Sequence, residues 1–233
     1  MSTIAANLQA VEASIAAACQ AAGRPRSTVQ LLAVSKTFPA EAVLEVADGG
    51  QRAFGENYLQ EGVDKIAAVA KARPDLALEW HFIGPIQSNK TRPIAAHFDW
   101  VHTVERLKIA QRLSEQRPAG RGPLNVCLQV NISGEASKSG VRPDELPELA
   151  RAVAALPNLR LRGLMAIPEP QDDPELQREP FARLRQLAKD LVQAGIFVDT
   201  LSMGMSADMQ AAILEGATIV RVGSAIFGSR HYE

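Results

Sequence analysis

Residues 200–230 read TLSMGMSADMQAAILEGATIVRVGSAIFGSR. An apolar run ends in a Ser/Gly turn, and a helical pattern follows. A second apolar run, TIVRV, then ends in another Gly/Ser turn that opens a helix. This is a strand–helix–strand unit with glycine at both strand ends. Strands joined through a helix pair in parallel, because the crossover is long and right-handed.

The same alternation extends back along the chain. Ile4, Leu8, Val11, Ile15 and Cys19 fall at helical spacing, which predicts an amphipathic helix over 3–22, ended by Gly23 and Pro25. Strands are predicted at 30–35, 52–55, 79–83, 99–103, 124–131, 159–166, 198–202 and 218–222. Helical patterns fill 40–48, 58–72, 88–96, 105–116, 144–155, 175–194 and 206–215. Eight strands alternating with helices predict a (β/α)8 TIM barrel of the α/β class, with an extra N-terminal helix. One domain spans 1–233. A doubly wound open sheet is the alternative. Two longer loops, 132–141 and 167–180, follow strands and so belong on the active face of a barrel. The second holds four prolines and reads as a stiffened, solvated loop.

Bulk properties narrow the function. The 233 residues are 46% hydrophobic, 22% charged and carry a net charge of −1, so neither nucleic acid nor an anionic membrane is expected as a partner. Aromatic residues are too few for a base-stacking surface. No apolar run approaches the roughly 20 residues that span a bilayer, and no basic segment precedes residues 1–22. A cytoplasmic protein is expected. Cys19 and Cys127 have no CxxC partner and read as buried thiols in a reducing compartment. His81, His97, His102 and His231 form no metal-ligand cluster, so no metal is expected.

The two glycine turns suggest a phosphate site. Ser206 is the expected N-cap of the helix after the seventh strand. Gly223 lets the backbone approach a ligand, and the N–H groups of Ser224 and beyond open a helix whose positive end favours an anion. Barrels often place a phosphate at these last two loops. Ordinary tight turns would read the same way. At the other end of the chain, Lys36 closes the first strand in LLAVSKT. Partial desolvation at a barrel mouth favours its neutral amine, which can attack an aldehyde. Arg221 lies in the last strand, two residues before the second turn, where a guanidinium can meet a ring nitrogen or a carboxylate. Asn57, just past the second strand, is a candidate contact to a ligand ring. A phosphate cradle with a strand-end lysine suggests pyridoxal 5'-phosphate (PLP).

Seven segments carry a resemblance: AVSKT (33–37), FGENY (54–58), WHFIGPIQSNK (80–90), GEASKSG (134–140), GLMAIP (163–168), LSMGMSADMQAAI (201–213) and VRVGSAIFG (220–228). Over essentially its whole length the chain resembles the pyridoxal phosphate homeostasis proteins, relatives of the N-terminal barrel of alanine racemase. The resemblance implies that Lys36 forms the internal aldimine with PLP. It implies that Ser202, Gly223 and Ser224 hold the phosphate, that Arg221 faces the pyridine nitrogen and that Asn57 lies beside the ring. Lys138 matches a lysine on a mobile loop of the family. Many members carry a second lysine two residues after the first, where this chain has Phe38.

An arginine at the ring nitrogen leaves that nitrogen unprotonated, since guanidinium only donates. The ring is then a weaker electron sink, and carbanion chemistry is poorly supported. The expected function is a PLP-binding protein acting in homeostasis or delivery to apo-enzymes, without catalytic residues of its own. An amino-acid racemase is the main alternative, and a Schiff-base aldolase a third. Racemases of this fold need a second domain and an opposed tyrosine base. Only about ten residues follow the last predicted strand, and Tyr58 and Tyr232 are the only tyrosines. A monomer is expected.

Overall fold

Alternation of side chains along eight short strands closes them into a barrel. The computed structural model describes residues 2–229. The strands are β1 (Gln30–Val34), β2 (Ala53–Glu56), β3 (Glu79–Phe82), β4 (Trp100–Val104), β5 (Leu124–Gln129), β6 (Leu159–Met165), β7 (Thr200–Ser202) and β8 (Ile219–Val222). They run parallel in the order β1 to β8, and β8 pairs back onto β1. The helices are α1 (Thr3–Ala21), α2 (Ala40–Asp48), α3 (Leu59–Ala72), α4 (Thr91–His97), α5 (Leu107–Gln116), α6 (Leu146–Ala154), α7 (Pro174–Gln193), α8 (Met209–Leu214) and α9 (Ser224–Phe227). This is the expected (β/α)8 barrel with its extra N-terminal helix.

Odd and even strand positions serve two cores. Leu31, Ala33, Phe54, Phe82, Val101, Val126, Leu128 and Val220 face the helices and belong to one large apolar shell. Leu32, Ala53, Trp100, Cys127, Met165 and Ile219 form a second, smaller cluster inside the barrel. Burial raises the Cys127 thiol to about 12, so it is inert there. α1 packs on α2, α8 and α9, filling the place in the ring that the four-residue α9 leaves open. Asn7 donates to the carbonyl of Ile226 in α9 at 3.0 Å.

Some boundaries differ from expectation. β5 stops at Gln129, and Val130 instead bridges Val141, so the 132–141 loop folds back on its own strand. The 167–180 loop is shorter than predicted because α7 starts at Pro174. Asp173 caps it by accepting from the Glu175 N–H at 2.9 Å, and proline suits the first helical turn. Pro180 lies within the helix. Ser206 is not an N-cap: α8 begins only at Met209, and the Asp208 carboxylate closes the preceding turn by accepting from the Met205 N–H at 2.7 Å. His231 and Tyr232 lie outside the described residues.

Candidate cofactor site at the barrel mouth

Strand parity brings the expected site residues to one end of the barrel. Leu32 packs inside the barrel, and continuing the alternation through Val34 puts Lys36 at the mouth, half-buried. Leu32 pairs with Arg221 across β1 and β8, and a side chain at Gly223 would press to 3.3 Å from the Val34 carbonyl. The amine, the guanidinium and the second glycine turn therefore share one side of the mouth. Asn57 follows β2, whose Gly55 pairs with Val34, so it lies beside Lys36's strand. Among the described residues, the buried Asn57 side-chain oxygen has no hydrogen-bond partner. Asn57 also lines a cavity of about 210 Å³ at the mouth, with Ile83, Thr103, Arg106, Gln129 and Ile167.

Two features shape the segment around Lys36. Its neighbour Thr37 has φ 69°, a left-handed conformation that a β-branched residue rarely adopts. Both flanking residues are clamped from the α3 side. The Ser35 hydroxyl donates to Glu56 at 2.6 Å, the Ser35 carbonyl accepts from Lys65 at 2.8 Å, and the Thr37 N–H donates to Glu61 at 2.5 Å. Lys65 joins the pieces, with ammonium contacts of 2.6 Å to Glu56 and 3.0 Å to Glu61. Burial raises the Glu56 carboxyl, against the opposing pull of Lys65. On the far side of Lys36, Phe38 stacks on Phe227 of α9 with ring centroids 4.9 Å apart. Where many relatives are expected to carry a second lysine, this chain ties the lysine segment to the second glycine turn.

That turn exposes the start of α9. The first backbone bonds of α9 come from Ile226 and Phe227 to the Gly223 carbonyl, which leaves the N–H groups of Ser224 and Ala225 at the helix start. Ser224 is exposed and Gly223 half-buried. In the first turn Gly204 has φ 97°, and its carbonyl accepts from the Arg221 N–H at 2.9 Å, coupling the two turns.

Arg221 is 5% exposed. It donates to the Ser202 hydroxyl oxygen at 2.7 Å and to the Ala166 carbonyl at 3.1 Å. Burial lowers the guanidinium to about 10, which still leaves it charged at neutral pH. Ser202 is fully buried beneath Arg221, with its Oγ 2.7 Å from His102 Nδ1. The Ser202 hydroxyl thus lies between the Arg221 guanidinium and the His102 ring. His102 Nε2 is 2.8 Å from His81 Nδ1, and His81 Nε2 is 2.7 Å from Glu79. Sequence reasoning weighed these histidines only as metal ligands and overlooked Glu79, Glu56 and Lys65. Among the described residues no group of three His, Cys, Asp or Glu side chains could hold a metal.

Lys138 pairs with Glu135 at 3.4 Å within its loop. Asn131 holds that loop through the Glu135 carbonyl, and Glu105 accepts from the Gly140 N–H.

Known proteins of the same architecture match this chain closely. The family model "Alanine racemase, N-terminal domain" matches residues 6–231. The pyridoxal phosphate homeostasis protein of Pseudomonas aeruginosa is 66% identical, over 100% of this chain and 98% of its own length. The chain belongs to the pyridoxal phosphate homeostasis protein family. A solved structure of PipY from Synechococcus elongatus with PLP bound is 36% identical, with a TM-score of 0.84 over 97% of this chain and 100% of its own. Alanine racemase of Clostridium difficile shares the barrel at 16% identity and a TM-score of 0.74, and this chain covers 58% of it. The family is named for cofactor homeostasis rather than for a reaction. Among the described residues no helix is long and apolar enough to cross a membrane.

Proposed function

We propose that this chain binds PLP at the barrel mouth, holds it reversibly on Lys36, and serves PLP homeostasis or delivery to apo-enzymes in the cytoplasm. It does so as a monomer, without a robust catalytic activity of its own. One observation carries the reading: β1 and β8 pair so that Lys36, Arg221 and the Gly223 turn face the same side of the mouth. The PLP-bound structure of PipY supports the choice of ligand.

When bound, PLP supplies an aldehyde that condenses with an amine to an imine and water. Lys36 supplies the amine, on a segment whose two flanking residues are fixed by the Lys65 cluster. The backbone N–H groups of Ser224 and the adjoining helix start bind the phosphate, with Gly223 allowing close approach. Arg221 offers its remaining N–H groups to the ring nitrogen, which then stays unprotonated. Asn57 lies beside the ring. Ser202, expected with Gly223 and Ser224 at the phosphate, also holds Arg221 through its hydroxyl.

The test is spectroscopic. Addition of PLP to the purified protein should produce an imine absorbance band that borohydride fixes, with the label mapped to Lys36. Lys36→Ala should abolish it. A label found on Lys138 instead would overturn the assignment to Lys36. Incubation with D- and L-amino acids should give no racemase-like turnover.

A further inference from the structure

We infer that Glu79, at the floor of the barrel, sets the direction of a hydrogen-bond relay that runs up the barrel interior and fixes Arg221 from beneath. Glu79, His81, His102 and Ser202 are then positioning residues for the guanidinium. The inference concerns the protein without any ligand and holds whether or not a cofactor occupies the mouth.

The contacts cross the barrel rather than follow its wall. Glu79 begins β3 and so lies at the end opposite the mouth, while His81 and His102 lie within the neighbouring strands β3 and β4. Ser202 ends β7 and Arg221 lies in β8, on the other side. His102 meets Ser202 although 100 residues separate them. Four successive contacts of 2.7 to 2.8 Å link Glu79, His81, His102, Ser202 and Arg221. His81, His102 and Ser202 are fully buried. His81 also lies flat against Trp100, with centroids 5.2 Å apart and planes 5° apart, which hinders rotation of its ring.

The chemistry of the two ends allows one direction. A guanidinium can only donate, so Ser202 accepts from Arg221. An ionised carboxylate can only accept. Glu79 is kept acidic by the His81 bond, and it also accepts from the Gln30 amide at 3.1 Å. His81 must therefore carry its proton on Nε2. Burial holds both imidazoles neutral, with His102 the more strongly affected. A neutral His81 with Nε2–H presents a lone pair at Nδ1, so His102 donates from Nε2. His102 then presents a lone pair at Nδ1 to the Ser202 hydroxyl, which donates its single proton downward. The opposite polarity would set the His81 Nε2 lone pair against a carboxylate oxygen at 2.7 Å. Because the Ser202 proton is turned toward the floor, Ser202 serves Arg221 as an acceptor and offers no proton to the mouth.

Nitrogen NMR of the histidine and arginine side chains in the ligand-free, full-length protein tests this directly. In the unmodified protein both His81 and His102 should be neutral Nε2–H tautomers at pH 7. An Nδ1–H tautomer or an imidazolium at either position would overturn the inference. Glu79→Ala removes the terminal acceptor. The uniform tautomer signature should then be lost at both histidines, and the Arg221 side-chain N–H signals should shift. Glu79→Gln keeps an acceptor oxygen and should restore both signatures. If Glu79→Ala leaves the His102 and Arg221 signals unmoved, or if Glu79→Gln behaves as Glu79→Ala does, Glu79 does not set the direction.

Discussion

Lys65 and Glu56 form a buried ion pair at 2.6 Å beside Lys36's segment, between β2 and α3, and neither side chain is more than 4% exposed. Breaking such a pair by removing one partner is costly, because the other charge stays buried. Lys65→Met should lower the unfolding free energy by about 3–5 kcal/mol in urea titration. Lys65→Met with Glu56→Gln should recover part of that loss, since the amide still accepts from Ser35 and the carboxylate left behind, Glu61, is partly exposed. Equal losses in the single and double variants would mean the pair acts only through packing. Lys65→Met should also slow the reaction of Lys36 with an aldehyde, because Ser35 and Glu61 lose their common anchor.

Gly204 and Gly195 both have positive φ, 97° and 85°, yet their surroundings differ. An added Cβ at Gly204 would lie 2.6 Å from the Ala212 Cβ, whereas at Gly195 nothing lies within 4 Å. Gly195→Ala should cost about 1 kcal/mol from backbone strain alone. Gly204→Ala adds overpacking and should cost about 2–4 kcal/mol. It should also weaken PLP binding, because the Gly204 carbonyl is bonded to the Arg221 N–H. Thermal unfolding of the two variants side by side checks the difference.

Arg221 stands between the relay below and the mouth above. Arg221→Met should weaken PLP binding by at least tenfold, about 1.4 kcal/mol, and shift the absorbance of the bound form. Titration with PLP measures both. An unchanged affinity and spectrum would mean that the guanidinium does not face the ring.

The barrel was legible because its signals are local. Each strand is a short apolar run, each helix a periodic pattern, and parity alone turns Leu32, Val34 and Lys36 the same way. Lys36, Arg221 and Gly223 stand out in the sequence for a related reason: a lysine, an arginine and a glycine at strand ends are chemically conspicuous. The relay was not, although its parity was present. In EWHFI and WVHTV the histidines alternate with residues that face the helices, but the partner of His102 is on β7, and only closure of the barrel joins them. The Glu56–Lys65 pair has no local sequence signal, because it forms only when α3 folds over β2. The Ser206 cap failed because the turn before α8 is closed by a carboxylate two residues later.

Acid should destabilise the fold in two windows. His81 and His102 are held below their ordinary value of 6.5 by burial, so the unfolded chain takes up protons first. Their contribution is fully present above 6.5 and is lost as pH falls from there toward their folded values. The slope is up to about 1.4 kcal/mol per pH unit for each histidine. Glu79 is also lowered, chiefly by its bond to His81, and its contribution is lost only as pH falls below 4.5. Unfolding free energy measured between pH 7.5 and 5 should therefore decline from about 6.5 downward. His102→Asn should remove about half of that slope while leaving the lower window in place. A wild-type stability that stays flat from pH 7 to 5 would mean that both imidazoles protonate as readily in the folded protein as in the unfolded chain.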